Sequence, residues 1–366
     1  MAKERKNYWL ILGLIIFVLY TFAAARPIPP ETILVPRWLS SLESNYPMMV
    51  GPENSAETFD RSTDAQPFRL GNRFGYIDHQ GRFIINRENK ENLSLSENYW
   101  AEFGAIPESL DIRSPFDETI LTVDKRRGYP FFRDGRVFLI GSEQNSVTAL
   151  DREGDELWTY DFSSPLTTVA GAAGFLVAGS LDGRIEMLDE KGKLVFPPFE
   201  PGGSRLQAIY GCALSADASR IAIVSGIDDQ RFLFLERSGE SYRVVHHEFL
   251  GDGFRRPVHI AFIDNDNRVV FEKQNGLGIY DINSRTAISL PLNGEIRGFD
   301  GSGNDGFFFV VTAPSKNEKR LVAIRLPGTV IMEAPFKSSA AFLGRRGRQL
   351  YVGGGTTLAS FELGKK

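Results

Sequence analysis

Four histidines, one cysteine and one glycine-rich loop are the residues of this chain whose types could carry chemistry, and their spacing argues against it. His246 and His247 are adjacent on a predicted strand, so their side chains point to opposite faces and cannot share a metal ion. His79 falls in a turn and His259 in an inner strand, where a hydrogen-bonded, partly buried imidazole is the usual outcome. Cys212 stands alone, which excludes an intrachain disulfide and an all-cysteine metal site. GSGNDG, Gly301 to Gly306, matches G-x-G-x-x-G, but it leads into the strand FFFVV, whereas a dinucleotide fingerprint must open a helix. Asp300, Ser302 and Asn304 alternate as in a calcium loop, yet Asp305 and Val311 stand where Gly and Glu are needed. There is no G-x-S-x-G, H-E-x-x-H or P-loop. No catalytic, cofactor-binding or metal-binding residue is assigned.

The remaining candidates are basic. Arg255 and Arg256 precede an inner strand, and Arg345, Arg346 and Arg348 crowd a second loop. Arginine in loops suits partner recognition, with a solvated turn as the plainer reading. Asn92, Leu93, Ser94 is a glycosylation sequon by pattern only.

The elements that must position these residues follow from composition. In 366 residues, 42% hydrophobic and 24% charged, disorder over most of the chain is excluded. The 36 Gly and 19 Pro make the chain rich in turn formers, and 28 Phe against 11 Tyr and 4 Trp favour large buried strand faces. A net charge of −4 gives no electrostatic reason to expect nucleic acid.

Tyr8 to Ala25 is uncharged and apolar and follows Lys3, Arg5 and Lys6, which reads as a single transmembrane helix over residues 1–25 with a cytoplasmic stub. The rest of the chain is then expected on the extracytoplasmic, periplasmic side of the inner membrane. Ala23, Ala24 and Ala25 also fit a signal-peptide cleavage site, in which case the protein is secreted to the periplasm. Seven prolines between Arg26 and Leu70 mark residues 26–70 as a tether. Within it TILVPRWLSSL, Thr32 to Leu42, is expected as a short strand or amphipathic turn.

From Phe74 onward short β-branched or aromatic runs alternate with Gly, Asp and Asn turns, so residues 71–366 are read as all-β. One pattern recurs, clearest in Val137 to Tyr160 and Phe175 to Phe196: two apolar runs, the second ending in an acidic residue, then a glycine turn and a third run. Its markers are Asp78, Asp151, Asp189, Glu236, Asp281, Arg325 and Glu362, spaced by 73, 38, 47, 45, 44 and 37 residues. Spacings of ~40–50 residues are those of four-stranded propeller blades. Seven blades are therefore expected, with six or eight left open because the first gap could hide another. Gly154, Gly192, Gly239 and Gly328 are expected at positive φ in the turns. Leu166 to Ala170, Gln207 to Ser215 and Pro257 to Ile263 are expected as innermost strands. The last copy lacks an outermost strand, so an N-terminal segment such as RFGYID is expected to complete it.

ALDREGDELW (Ala149 to Trp158) and AGSLDGRIEMLDEKGKLVF (Ala178 to Phe196) resemble the pyrroloquinoline-quinone-like repeat. ALSADASRIAIVSG (Ala213 to Gly226) is similar to a WD-type repeat, and FGYIDHQGRFII to the short repeats of bacterial WG proteins. Trp158 occupies the docking-tryptophan position, with Phe196 in its place at the next copy. The quinone-dependent enzymes of such families need adjacent cysteines and calcium-binding acids. The resemblance therefore implies the noncatalytic branch, which includes envelope scaffolds such as the propeller lipoprotein of the outer-membrane barrel assembly machinery.

The expectation is a monomeric, membrane-anchored propeller, without enzyme activity or cofactor, serving as a scaffold for envelope or membrane proteins. The alternative is a propeller enzyme or ligand sensor that takes a sugar or lactone in its central channel. Convergence of Asp217, Asp228 or Asp229 with His259 at one channel mouth would favour that alternative.

Overall fold

The computed structural model describes residues 12–15, 17, 20, 32–43, 47–49, 65–105, 107, 109–124, 128–251, 253–303 and 305–365. These fall into two units, Met1–Val35 with Leu363–Lys366, and Pro36–Glu362. In the first unit residues 12–15, 17 and 20 are helical, and Gly364 lies close to Ile33 and Val35. Among the described residues no helix is long and apolar enough to cross a membrane, since a span needs ~20 consecutive helical residues. The expected transmembrane helix over Tyr8 to Ala25, and the inner-membrane placement built on it, are corrected accordingly. The cleavage site at Ala23 to Ala25 lies outside the described residues.

Among the described residues the strands form eight antiparallel sheets, where seven were expected. Blade 1 holds Gln66–Leu70, Arg73–Ile77 and Phe83–Glu88, and blade 2 holds Asn92–Leu95, Trp100–Phe103, Ser109–Arg113 and Thr119–Asp124. Blade 3 comprises Gly128–Arg133, Arg136–Gly141, Ser146–Leu150 and Glu156–Asp161, and blade 4 Leu166–Ala172, Phe175–Ser180 and Ile185–Leu188. Ile209–Leu214, Arg220–Ser225, Arg231–Ser238 and Ser241–Phe249 form blade 5; Ile260–Ile263, Arg268–Lys273, Gly276–Asp281 and Thr286–Pro291 form blade 6. Blade 7 is Glu295–Asp300, Phe307–Ser315, Glu318–Arg325 and Thr329–Lys337. Blade 8 is Ala341–Arg346, Gln349–Gly354 and Thr357–Lys365, extended by Thr32–Ser41 and Pro47–Met49.

The long first gap holds blade 2. Its turn uses Ser114 where most other copies use an acid: Ser114 Oγ accepts from the amides of Phe116 at 3.2 Å and Glu118 at 3.3 Å. Asp151 Oδ1 accepts the equivalent amides of Glu153 and Asp155 at 3.0 and 2.8 Å. Asp117 at φ 66° stands where those turns place glycine, so the sequence pattern misses the repeat. Gly154, Gly192 and Gly239 do have positive φ, whereas Gly328 does not.

The strand that completes blade 8 is Thr32–Ser41, within the expected tether, and not RFGYID. RFGYI instead forms the middle strand of blade 1. The first described strand of blade 1 runs opposite to the innermost strand of blade 8. A Cβ on Gly344 would meet Gln66 and one on Gly353, the partner of Phe342, would meet Leu70, so Gln66–Leu70 lies antiparallel to the inner strand Ala341–Arg346. The three described strands of blade 1 therefore correspond to the second, third and fourth of a full blade.

The core sits between blades. Middle strands such as IAIV (Ile221 to Val224) and FLFL (Phe232 to Leu235) are buried on both faces, because each sheet is covered on either side by its neighbours. Phe232 of blade 5 stacks on Phe271 of blade 6 at 4.1 Å and 5°. Outer strands alternate instead, as in Thr329–Lys337, where Val330, Met332, Ala334 and Phe336 are the less exposed positions. Blade 4 has only the bridges Leu188–Leu194 and Ile185–Phe199 in its outer position, where Pro197 and Pro198 supply no amide donors. The three expected innermost segments are all inner strands.

Candidate functional site

The chain direction alternates within each blade, so loops preceding inner strands lie at one end of the ring, and first-to-second hairpins at the other. Arg255 and Arg256 precede the inner strand Ile260–Ile263 and belong to the entry end. Arg345 and Arg346 finish the inner strand Ala341–Arg346, and Arg348 is in the hairpin after it, at the exit end. The five arginines expected as interaction loops thus do not share one rim.

Their surroundings differ as well. The Arg256 guanidinium grips Glu272, 1% exposed, with Nη2 at 2.6 Å from Oε1 and Nη1 at 3.1 Å from Oε2, while the amide of His259 reaches Oε2 at 3.2 Å. Glu295 lies 3.7 Å from Arg256 Nη2, and Phe254 lies under the guanidinium at 4.5 Å. Glu272 is thereby locked in an ion pair between loop and strand, and the pairing holds Arg256 above its usual pKa. Arg255 is exposed.

At the exit end Arg345 is buried and joins blade 8 to blade 7. It bonds Asp305 Oδ2 at 2.6 Å, the carbonyl of Phe307 at 3.0 Å and that of Gly347 at 2.9 Å, over the ring of Phe309. It is a strut and offers nothing to a partner. Arg346 donates to the Ala65 carbonyl at 3.3 Å and lies 3.9 Å from Glu97. Arg346 and Arg348 line a cavity of about 500 Å³ with Arg37, at the junction of blades 8 and 1.

Asp217 and His259 lie at opposite ends. Asp217 sits in the exit-end hairpin of blade 5, where the Ser215 hydroxyl, then the Ser219 amide and hydroxyl, hold its carboxyl down to about 2. His259 packs edge-on against Phe299. Among the described residues no three His, Cys, Asp or Glu side chains gather as a metal-binding group. His246 and His247 do diverge, His246 stacking on Tyr280 at 4.4 Å and His247 meeting Phe249.

One residue that sequence reasoning passed over is Trp38. Its indole donates to the His79 carbonyl at 2.9 Å, and a Cβ on Gly81 would lie 2.6 Å from its ring. Trp158 treats the next blade in the same way, donating to the Glu190 carbonyl at 2.8 Å above Gly192. Both tryptophans seat on an Asp-x-x-Gly turn, Asp78 to Gly81 and Asp189 to Gly192, with glycine at φ 86° and 74°. Trp38 is therefore a second docking tryptophan. Its sequence signal was the turn at Asp78, without any sign of which tryptophan would cover it.

The whole of residues 1–365 matches the family described as beta-propeller protein. The chain belongs to that family. It is 28% identical over 319 residues to an uncharacterised protein of Treponema pallidum (strain Nichols), covering 87% of this chain and 83% of the relative. Among solved structures it is similar to BamB from Moraxella catarrhalis, with a TM-score of 0.58 at 13% identity over 90% of this chain and 100% of that one. It is also similar to the dihydro-heme d1 dehydrogenase NirN, with a TM-score of 0.51 at 14% identity over 70% and 57% of the two chains. At these identities the likeness is one of fold, and the fold is shared with a dehydrogenase.

Two further features distinguish the surface of this propeller. A cavity of about 480 Å³ is bordered by the innermost strands of blades 8, 1 and 2, with Arg69, Leu93, Leu95 and Phe342 among its walls. The entry end over blades 4 to 6 exposes apolar side chains: Leu181 is 54%, Leu206 56% and Phe249 58% exposed. The Leu206 loop and the segment after Phe249 are both bonded to the hairpin between Arg220–Ser225 and Arg231–Ser238, the Ile227 amide to the Leu206 carbonyl at 3.0 Å and the Leu250 amide to the Gln230 carbonyl at 2.8 Å, while the Leu181 amide bonds the Pro165 carbonyl at 2.9 Å. Exposed Arg205 and Arg255 stand in the same loops.

Proposed function

We propose that the propeller is a noncatalytic protein-interaction platform whose working surface is the entry end of blades 4 to 6. The observation that carries this reading is the exposure of Leu206 and Phe249 beside segments joined by backbone hydrogen bonds through Ile227 and Gln230, with Leu181 exposed in the hairpin whose Gly183 packs on Gln207. Exposing three large apolar side chains at one end of neighbouring blades costs solubility without serving the core, and such groups are what partner surfaces cover. The flanking guanidinium groups of Arg205 and Arg255 add the residue type most favoured beside apolar contacts at interfaces.

The partner expected is a protein with an apolar patch bordered by carboxylates. A photocrosslinking side chain placed at Phe249 in the native host should yield discrete protein adducts. Leu181→Glu with Leu206→Glu should abolish them while leaving thermal unfolding within a few degrees of the parent. Adducts that persist unchanged in the double variant, or none at all from Phe249, would overturn the reading.

A further inference from the structure

We propose that Asn293–Gly294, the link between blades 6 and 7, is a covalent self-modification site at which the Asn293 side chain loses ammonia to the backbone amide that follows it. The chain holds two Asn-Gly pairs, Asn275–Gly276 and Asn293–Gly294, and glycine is the successor that hinders such an attack least, because its nitrogen has no flanking Cβ. The fold treats the two pairs differently. Asn275 closes the hairpin between Arg268–Lys273 and Gly276–Asp281; its carbonyl accepts the Leu292 amide at 2.9 Å, and Gly276 is buried in the ladder opposite Lys273 and Pro291. Turning the Gly276 nitrogen onto the Asn275 side chain would break that ladder. Asn293 and Gly294 belong to no strand, since Thr286–Pro291 ends before them and Glu295–Asp300 begins after them. The Asn293 side chain is exposed and bonds no described residue, and the Gly294 amide donates to none. Glycine is nonetheless required there: φ is 99°, and a Cβ would fall 2.4 Å from the Pro314 nitrogen and 2.5 Å from the Ala313 carbonyl carbon. Packing against blade 7 thus fixes the residue that leaves the preceding asparagine open to attack.

In the first step the Gly294 nitrogen gives up its proton and bonds to Cγ of Asn293, while the bond from Cγ to the side-chain nitrogen breaks and that nitrogen leaves with the proton as ammonia. Water then opens the cyclic imide at either carbonyl, leaving an aspartyl or an isoaspartyl residue at position 293; nothing is oxidised or reduced. Both products place a new carboxylate beside Glu295, whose Oε1 lies 3.7 Å from Arg256 Nη2, and the isoaspartyl form also lengthens the link by one main-chain carbon. The link is at the entry end but outside the surface of blades 4 to 6, so it stands or falls separately from the interaction reading.

The test is peptide mapping by mass spectrometry, with electron-transfer fragmentation to distinguish aspartyl from isoaspartyl, after timed incubation of the folded full chain at neutral and mildly alkaline pH. Product at position 293 should form at least fivefold faster than at position 275, and faster at the higher pH because the attacking nitrogen must lose its proton. In urea-unfolded chain the two positions should react at similar rates, which assigns the difference to the fold. Asn293→Gln should remove the product at 293 and leave the slow reaction at 275 unchanged. No product at 293 in the folded chain, or formation there no faster than at 275, overturns the proposal.

Discussion

Trp38 and Gly81 meet across the point where the ring closes, the indole lying flat over a glycine that has no room for a Cβ. The contact ties the strand Thr32–Ser41 of blade 8 to the Asp78 turn of blade 1, and its geometry repeats that of Trp158 over Gly192 inside the ring. Closure thus reuses the chemistry that holds successive blades together. The difference is in what the strand pairs with: only Trp38 belongs to a strand that pairs with the far end of the chain, Thr357–Lys365.

Trp38→Ala should therefore be costly. Trp38 is 4% exposed, and truncating a buried aromatic costs about 3–5 kcal/mol. Trp158, partly exposed, should cost less. Gly81→Ala adds the strain of φ 86°, about 1–3 kcal/mol, before any displacement of the indole. Urea unfolding of the three variants measures these; a Trp38→Ala loss no larger than that of Trp158→Ala would show that the seam is held elsewhere.

The Arg256–Glu272 pair should behave as a strut. Arg256→Ala leaves the Glu272 carboxylate buried and unpaired, and the expected loss is at the low end of about 3–5 kcal/mol because Arg256 itself is 36% exposed. Replacing both, Arg256→Met with Glu272→Leu, should recover most of that loss. Equal losses in the single and double variants, read by chemical denaturation, would mean that the pair carries no buried-charge penalty.

Cys212 should report global unfolding. Burial is the main cause that pushes its thiol up to about 11, against the opposing Thr168 hydroxyl and Arg133 charge. The neutral form is favoured in the fold, so this contribution to stability is intact below the unfolded value of ~8.5 and is lost as pH rises through about 11. A thiol reagent at pH 8 should be inert toward the folded chain and react at the unfolding rate. Rapid stoichiometric labelling without denaturant would contradict this placement of Cys212.

Much of the fold was legible in the residues. The Asp-x-x-Gly turns, the apolar runs at alternating positions and the spacing near forty residues specify antiparallel blades, because each is a local requirement of strand and turn. Blade 2 escaped because Ser114 and Asp117 perform the turn with different side chains. The arginine loops were visible as charge, but that Arg345 is an internal strut and Arg348 an exposed group depends on what surrounds each one.

The sequence by itself determined an all-β chain of repeated blades with turns at defined positions, since those features follow from backbone conformation within a few residues. Only the tertiary structure decided that there are eight blades, that Thr32–Ser41 closes the ring, and that the described strands of blade 1 begin at a second-strand position. It also decided that the two arginine groups look out from opposite ends, and that Arg37 meets Glu362 from 325 positions away. Contacts of that span leave no periodic trace in the residues between them; they are selected by which surfaces remain to be buried once every local blade has formed.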